Sequence, residues 1–185
     1  MSLTSIFFTF FFYISVLIFI TGVSYKIVQY WQTPAPLKIP IAPAPLNRSG
    51  VLMRIAREVF LFQSLFKASK WTWIFGWSFH LALVLLFFRH LVYFWPGEIP
   101  TILLKTEPLK YAAYPLIFGL LGLLGRRLFV DRVRYISAPS DYLMLLLLIV
   151  IGGSGMLMTF AQNHPNMLLV KNFAEGLITF NWSQL

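Results

Sequence analysis

The sequence contains no cysteine among its 185 residues. Disulfide bonds, thiolate zinc sites and cysteine-ligated iron–sulfur clusters within this chain are therefore excluded. Acidic residues are also scarce, with 6 Asp and Glu against 15 Lys and Arg. Histidine is rarer still, at 3 residues. This scarcity makes each histidine a candidate functional residue.

Apolar residues are abundant: 58% of the chain is hydrophobic and only 11% is charged. This composition is far from that of a soluble domain and predicts an all-α integral membrane protein, because a helix satisfies its own backbone groups in lipid. Four runs are long enough to cross about 30 Å of hydrocarbon, which takes roughly 20 helical residues. They are residues 5–25, 71–95, 109–128 and 142–161 of a single membrane domain, 1–185. The first run lacks an A-x-A cleavage site and is expected to be retained.

The connecting segments differ in character. Residues 31–50 contain five prolines, which predict an extended cytoplasmic loop. Residues 51–70 alternate apolar and basic side chains at helical spacing, which predicts an amphipathic helix at the membrane surface. A cytoplasmic extension of the second span is the alternative. Residues 167–180 are apolar but interrupted by polar groups, which favours an interfacial or re-entrant segment over a fifth span.

Basic residues are unevenly distributed between the connections. The first connection contains Lys38, Arg48, Arg54, Arg57, Lys67 and Lys70, and the third contains Arg126, Arg127, Arg132 and Arg134. The second contains only Lys105 and Lys110, offset by Glu98 and Glu107. The positive-inside rule therefore predicts that the first and third connections are cytoplasmic and that the N-terminus lies outside. The net charge of +9 is then a topology signal, and no nucleic-acid partner is expected.

Two histidines, His80 and His90, lie inside the second span, in "FHLALVLLFFRHLVYF". Ten helical residues give a rise of about 15 Å and leave the two side chains roughly 80° apart, so both can face one bundle interior. The candidate roles are proton relay, metal ligand, quinone contact and haem axial ligand. Haem suits the pattern better than zinc or a relay, which need further ligands or acidic partners. The alternative is hydrogen bonding to neighbouring helices.

Longer stretches resemble a known family. "FHLALVLLFFRH", "RRLFVDRVR" followed by "SDYLMLLLLIVIGGSGMLMT", and "GLITF" near the end are similar to the gamma subunit of respiratory nitrate reductase, a dihaem cytochrome b membrane anchor. The stretch "TPAPLKIPIAPAPLNRSGVLMRIAREVFLFQSLFKASKWTWIFGW" resembles the DsrM-type branch, the membrane cytochrome b of a complex associated with dissimilatory sulfite reduction. The resemblance covers essentially the whole chain.

This resemblance implies five transmembrane helices and two b haems, each bridged between a histidine of the second span and one of the fifth. It implies menaquinol oxidation near the outer face of a bacterial or archaeal cytoplasmic membrane. Electrons would pass inward to a cytoplasmic iron–sulfur subunit resembling heterodisulfide reductase, in a complex with other membrane and periplasmic cytochrome subunits. His80 would ligate the cytoplasmic-side haem and His90 the outer-side haem. The fifth span, with the second ligands, is expected to follow Leu185.

The same resemblance suggests further side chains as candidate haem or quinol contacts. Arg89, beside His90, is a candidate partner for a haem propionate. In nitrate reductase relatives a lysine after the second span contributes to the quinol pocket. Lys110 lies at a comparable distance past His90, and Lys105 is the other candidate, with a snorkelling anchor as the alternative for both. His164, in the polar turn "AQNHPN", is expected to be an exposed loop residue.

Two other classes of function remain open. One is a cofactor-free membrane anchor or assembly subunit that only holds soluble partners. The other is a small transporter, which intramembrane histidines also serve.

Overall fold

The computed structural model describes residues 3–34, 47–95, 107–160 and 166–181. Over these ranges the chain forms helices and no β-strand, as predicted for the fold class. The α-helices are α1 (Leu3–Gln32), α2 (Arg48–Leu61), α3 (Gln63–Ala68), α4 (Lys70–Phe94), α5 (Ala113–Phe129), α6 (Asp131–Ile136), α7 (Pro139–Phe160) and α8 (Met167–Thr179). A 3-10 helix, Glu107–Ala112, leads into α5.

Four helical segments are long and apolar enough to cross a membrane, which confirms the four predicted spans. They are Leu3–Gln32, Lys70–Phe94, Pro108–Phe129 and Pro139–Phe160. The first is longer than expected and continues through Gln32 into the segment predicted to be extended. The first proline of that segment is Pro34, and a proline disfavours helix only from the residue before it. The proline-rich residues 35–46 lie outside the described ranges.

The described chain divides into two compact units, of which one contains α1 and α8. In this unit the Tyr13 hydroxyl donates a hydrogen bond to the Leu177 carbonyl oxygen at 2.8 Å, and the Tyr13 and Phe180 rings stack. Phe180 has left-handed backbone geometry, and the Asn181 N–H closes the end of α8 on the Gly176 carbonyl oxygen. With 13 residues, α8 is about 20 Å long and too short to span a bilayer.

The other unit contains α2 to α7, and its centre is the packing of α5 between α4 and α7. The buried core is formed by Ala82, Ala112, Leu116 and Leu120. Small residues bring the helix backbones together. A Cβ placed on Gly119 would lie 2.9 Å from the Phe79 backbone nitrogen. This close approach sets which face of α4 points into the unit.

The connection from α5 to α7 is held by polar contacts. The Arg127 guanidinium donates to the Ser137 hydroxyl at 2.8 Å and to the Asp141 carboxylate at 3.1 Å. The Tyr142 hydroxyl donates to the Arg127 carbonyl oxygen at 3.2 Å. These bonds tie the C-terminal end of α5 to the first turn of α7, across the short helix α6.

The predicted amphipathic segment 51–70 forms two helices instead of one. The backbone leaves α-helical geometry at Phe62, between α2 and α3, and again at Ser69, before α4. The Asn47 side chain caps α2 by accepting from the Gly50 N–H, and Ser69 caps α4 by accepting from the Thr72 N–H. The segment is therefore not a continuous extension of the second span.

Candidate functional site

His80 and His90 use their Nδ1 atoms in the same way. His80 Nδ1 lies 2.7 Å from the Gly76 carbonyl oxygen, and His90 Nδ1 lies 2.7 Å from the Leu86 carbonyl oxygen. A carbonyl oxygen only accepts, so each Nδ1 carries the proton and donates it. In a neutral imidazole this leaves the lone pair on Nε2. Both histidines thus have the tautomer and the orienting hydrogen bond that a metal-ligating histidine requires.

The surroundings of the two imidazoles differ. The His80 ring lies between two phenylalanine rings, with centroid distances of 5.0 Å to Phe62 and 4.8 Å to Phe79, both edge-on. The His90 ring has Tyr93 at 6.0 Å. Both histidines are exposed at the surface of the described chain.

A cavity of about 340 Å³ opens between α4, the 3-10 helix, α5 and α7. Its walls are apolar, and its polar side chains are few: His90, Arg89, Lys110 and Thr159. The apolar lining consists of Phe79, Leu83, Leu86, Phe87, Ala113, Leu116, Leu120, Leu148, Ile151, Gly152, Gly155 and Met156. A mostly apolar cavity with a small set of convergent polar groups is typical of a small-molecule site.

The structure therefore brings together three of the residues singled out from the sequence. His90 and Arg89 come from the last turns of α4, and Lys110 comes from the 3-10 helix before α5. His80 does not line this cavity and lies further back along α4. Lys105 and His164 fall outside the part of the chain that the structure describes.

Helix α7 forms a wall of the cavity, and none of its residues was predicted from the sequence to line a site. Gly152, Gly155 and Thr159 face it at helical spacing. A Cβ on Gly155 would meet nothing within 4 Å, whereas one on Gly152 would lie 2.8 Å from Leu116 Cδ2. The available signal was the spacing of small residues in "GGSGMLMT", which is typical of a face that approaches a neighbour closely.

The side chains available as ligands indicate which kind of metal centre these residues can hold. Within the described ranges, no group of three or more His, Cys, Asp or Glu side chains is placed to hold a metal ion. Each α4 histidine instead offers one Nε2 lone pair on an apolar helix. A haem iron fits this arrangement, since the macrocycle supplies four of its ligands and the protein supplies only the axial ones.

Sequence comparison assigns the family. The nitrate reductase gamma subunit family matches residues 49–184, from α2 to beyond α8 and including both α4 histidines. The chain belongs to the nitrate reductase gamma subunit family. The resemblance predicted from its motifs is thereby confirmed. With its four apolar helices, this family member is a multi-pass membrane protein.

Two curated relatives are each 30% identical to the chain over an alignment 210 positions long, gaps included, which covers 91% of the chain. They come from Archaeoglobus profundus and Archaeoglobus fulgidus, and both are named Hdr-like menaquinol oxidoreductase cytochrome b-like subunit. The chain spans 62% and 63% of the lengths of these relatives. No solved structure matches the chain.

Proposed function

We propose that the protein is the haem b-containing membrane subunit of a menaquinol-oxidising respiratory complex. Its role is to pass electrons from the quinone pool to a cytoplasmic iron–sulfur subunit resembling heterodisulfide reductase, in sulfur metabolism and together with other membrane and periplasmic cytochrome subunits. The observation that carries the proposal is the apolar cavity that brings His90, Arg89 and Lys110 together. The names of the two Archaeoglobus relatives support a cytochrome b-like subunit of a menaquinol oxidoreductase.

The α4 histidines are proposed as axial ligands of two b haems. His80 and His90 each direct the Nδ1 proton to a backbone carbonyl, so Nε2 is the ligating atom. Among the described residues, His80 and His90 would each supply one ligand to an iron. Arg89 is the proposed partner of a propionate at the His90 level, because a guanidinium matches carboxylate geometry. When bound, haem supplies a one-electron acceptor that the side chains cannot provide.

Menaquinol is proposed to bind in the cavity beside His90. A volume of about 340 Å³ lies within the range of small-molecule sites. The leucine, phenylalanine and glycine walls suit a flat aromatic ring, and the Lys110 ammonium donates to a quinol oxygen at the rim. Oxidation converts quinol to quinone with release of two protons and two electrons. Lys110 favours the anionic form of the quinol and so assists loss of its first proton.

The orientation is part of the proposal: the N-terminus outside the cytoplasmic membrane of a bacterium or archaeon, and helix α6 inside. Because the chain has no cysteine, a single introduced cysteine reports its own side. In intact cells an impermeant maleimide is expected to label Thr4→Cys. It should label Tyr135→Cys, on the exposed α6, only after permeabilisation. The reverse labelling pattern would invert the assigned sides of both histidines.

Spectroscopy of the complex purified from membranes tests the function. The reduced-minus-oxidised spectrum is expected to show b-type haem, and His80→Ala and His90→Ala should each lose one of two haems. Lys110→Met should slow quinol-dependent haem reduction without changing haem content, whereas Lys70→Met, at an exposed lysine that does not line the cavity, is the matched control. Absence of a b-type band from the intact complex would refute the proposal and leave a cofactor-free anchor or a small transporter.

A further inference from the structure

Phe62 has a backbone conformation that a bulky residue rarely adopts. Its φ and ψ are both 48°, in the left-handed region. Among the described residues other than glycine, a positive φ occurs only at Phe62 and Phe180. Such a conformation costs about 1–3 kcal/mol and persists only where the surroundings enforce it. Glycine or asparagine is the usual residue at this position of a helix end. The helix end alone therefore does not explain why phenylalanine occupies this position.

The corner between α2 and α3 is held from two sides. On one side the Glu58 carboxylate accepts from the Ser64 N–H at 3.0 Å and from the Ser64 hydroxyl at 2.6 Å. On the other side two indole N–H groups of α4 donate to the last carbonyls of α2: Trp73 to Leu61 at 2.7 Å and Trp77 to Phe60 at 3.2 Å. These carbonyls have no partner within α2 because the helix ends there.

The corner places the Phe62 ring against His80. The ring centroids are 5.0 Å apart and the planes are inclined by 80°, so the contact is edge-on. Phe79 makes a similar contact at 4.8 Å and 75°. With Nδ1 bonded to the Gly76 carbonyl oxygen, rotation of the imidazole is restricted by three neighbours. His90 has the same Nδ1 bond, but its ring contact, with Tyr93, is longer and comes from its own helix.

We propose that Phe62 is a positioning residue for His80. The strained corner holds an aromatic ring against this imidazole, which fixes the ring plane and covers part of an otherwise exposed side chain. For the metal-bound state the proposal rests on the proposed function, with His80 as an axial ligand. The plane, basicity and hydration of an axial imidazole set the reduction potential of a haem. Phe62 therefore tunes the His80 haem and leaves the His90 haem unaffected.

A glycine variant separates this role from a merely structural one. Glycine adopts a φ of 48° without strain, so Phe62→Gly keeps the corner while it removes the ring. Phe62→Tyr keeps the ring and the strain. Phe66→Ala is the matched control, because the Phe66 ring belongs to the same corner but packs on Trp73 at 5.0 Å and does not touch His80.

The first measurement is the midpoint potential of each haem in the purified complex, with the His80 haem identified as the one missing from His80→Ala. Phe62→Gly should shift the potential of the His80 haem alone, Phe62→Tyr should restore it, and Phe66→Ala should leave both haems as in the wild type. If both potentials are unchanged in Phe62→Gly, or if Phe66→Ala produces the same shift, the proposal is overturned.

The second measurement needs no haem. The rate at which diethyl pyrocarbonate modifies each imidazole of the haem-free full chain is mapped by mass spectrometry. Phe62→Gly should accelerate modification of His80 several-fold and leave His90 unchanged, since only His80 loses a neighbouring ring. Equal rates in wild type and Phe62→Gly would overturn the positioning role. A wild-type complex without haem would defeat the proposed function instead, and the modification rates would still decide the role of Phe62.

Discussion

Gly119 and Phe75 bring the backbones of α5 and α4 into contact: a Cβ on Gly119 would lie 2.7 Å from the Phe75 carbonyl oxygen. A backbone atom cannot move aside as a flexible side chain can. Gly119→Ala is therefore expected to separate the two helices and destabilise the fold by about 1–3 kcal/mol. Thermal unfolding of the detergent-solubilised protein measures the loss.

Gly125, on the same helix, is the control for that change. A Cβ there would meet only the Phe129 side chain at 3.9 Å, an ordinary contact. Gly125→Ala should unfold at or slightly above the wild-type temperature, because alanine favours the helix. Equal effects of the two substitutions would show that the contact with Phe75 is not what limits this position.

Gly155 offers a way to fill the cavity beside His90 without disturbing the helix packing. A Cβ at this position meets nothing within 4 Å, and the residue lines the cavity. Gly155→Val should occupy space that the proposed quinol ring would fill, at a cost of about 1–3 kcal/mol, which corresponds to an affinity loss of about 5- to 150-fold. Quinol-dependent haem reduction as a function of quinol concentration gives the affinity.

Gly153 provides the comparison for this experiment. It lies on the same helix with open space at its Cβ, and it does not line the cavity. If the cavity holds quinol as proposed, Gly153→Val should match the wild type in quinol-dependent haem reduction, with unchanged haem content in both variants. A similar loss in both would assign the effect to α7 as a whole and not to the cavity.

The corner that contains Phe62 should respond to acid through Glu58. Hydrogen bonds from the Ser64 side chain and backbone hold the Glu58 pKa below its ordinary value of 4.5, aided by the charges of Arg54 and Lys67. A carboxyl whose pKa is lowered by folding stabilises the fold above its unfolded pKa and loses that contribution as the pH falls through the lowered value. The corner should therefore loosen below pH 4.5.

Tryptophan fluorescence follows this transition, because Trp73 and Trp77 are bonded to the corner. Ser64→Ala removes the largest cause of the lowered pKa and should move the transition to higher pH. Glu58→Gln has no titrating carboxyl at this position and should show no transition in the same range. An identical acid response in Glu58→Gln would rule out the carboxylate as its source.

The ion pairs of Arg127 and Arg134 are expected to contribute differently to the stability of the fold. The Arg127 and Asp141 side chains are 32% and 39% exposed, and Arg127 also bonds Ser137 across the connection. The Arg134 and Asp131 side chains are 61% and 88% exposed and lie three residues apart on one short helix. Arg127→Ala should therefore destabilise the fold by about 1 kcal/mol, and Arg134→Ala by about 0–0.5 kcal/mol.

Both substitutions remove one positive charge from the same connection, so their effects on membrane topology should match. Denaturant unfolding in detergent then compares the ion pairs alone. A larger loss for Arg134→Ala would contradict the assignment of Arg127 as the tie between α5 and α7.

The described parts of the spans were predictable because their physical signal is local. A continuous apolar run long enough to cross the bilayer has one satisfactory backbone structure, the helix. The spacing of His80 and His90 also follows from helix geometry alone. Helix α1 ends at Gln32, seven residues past the predicted end of the span at Tyr25. Hydropathy alone therefore did not locate the end of this helix. The helix continued through residues 26–32, which mix polar and apolar side chains, and ended shortly before the proline that follows Thr33.

By itself, the sequence determined the helical membrane class, the four apolar spans, the two histidines ten residues apart and the family. The tertiary structure decided which faces meet. Helix α7 is apolar on all sides, so no polar stripe indicates that Gly152, Gly155 and Thr159 line a cavity with His90 and Lys110. The left-handed geometry of Phe62 was likewise not predictable from the sequence. It is disfavoured locally and is enforced by the Glu58–Ser64 hydrogen bonds together with the contacts of Trp73 and Trp77, which folding brings to the corner.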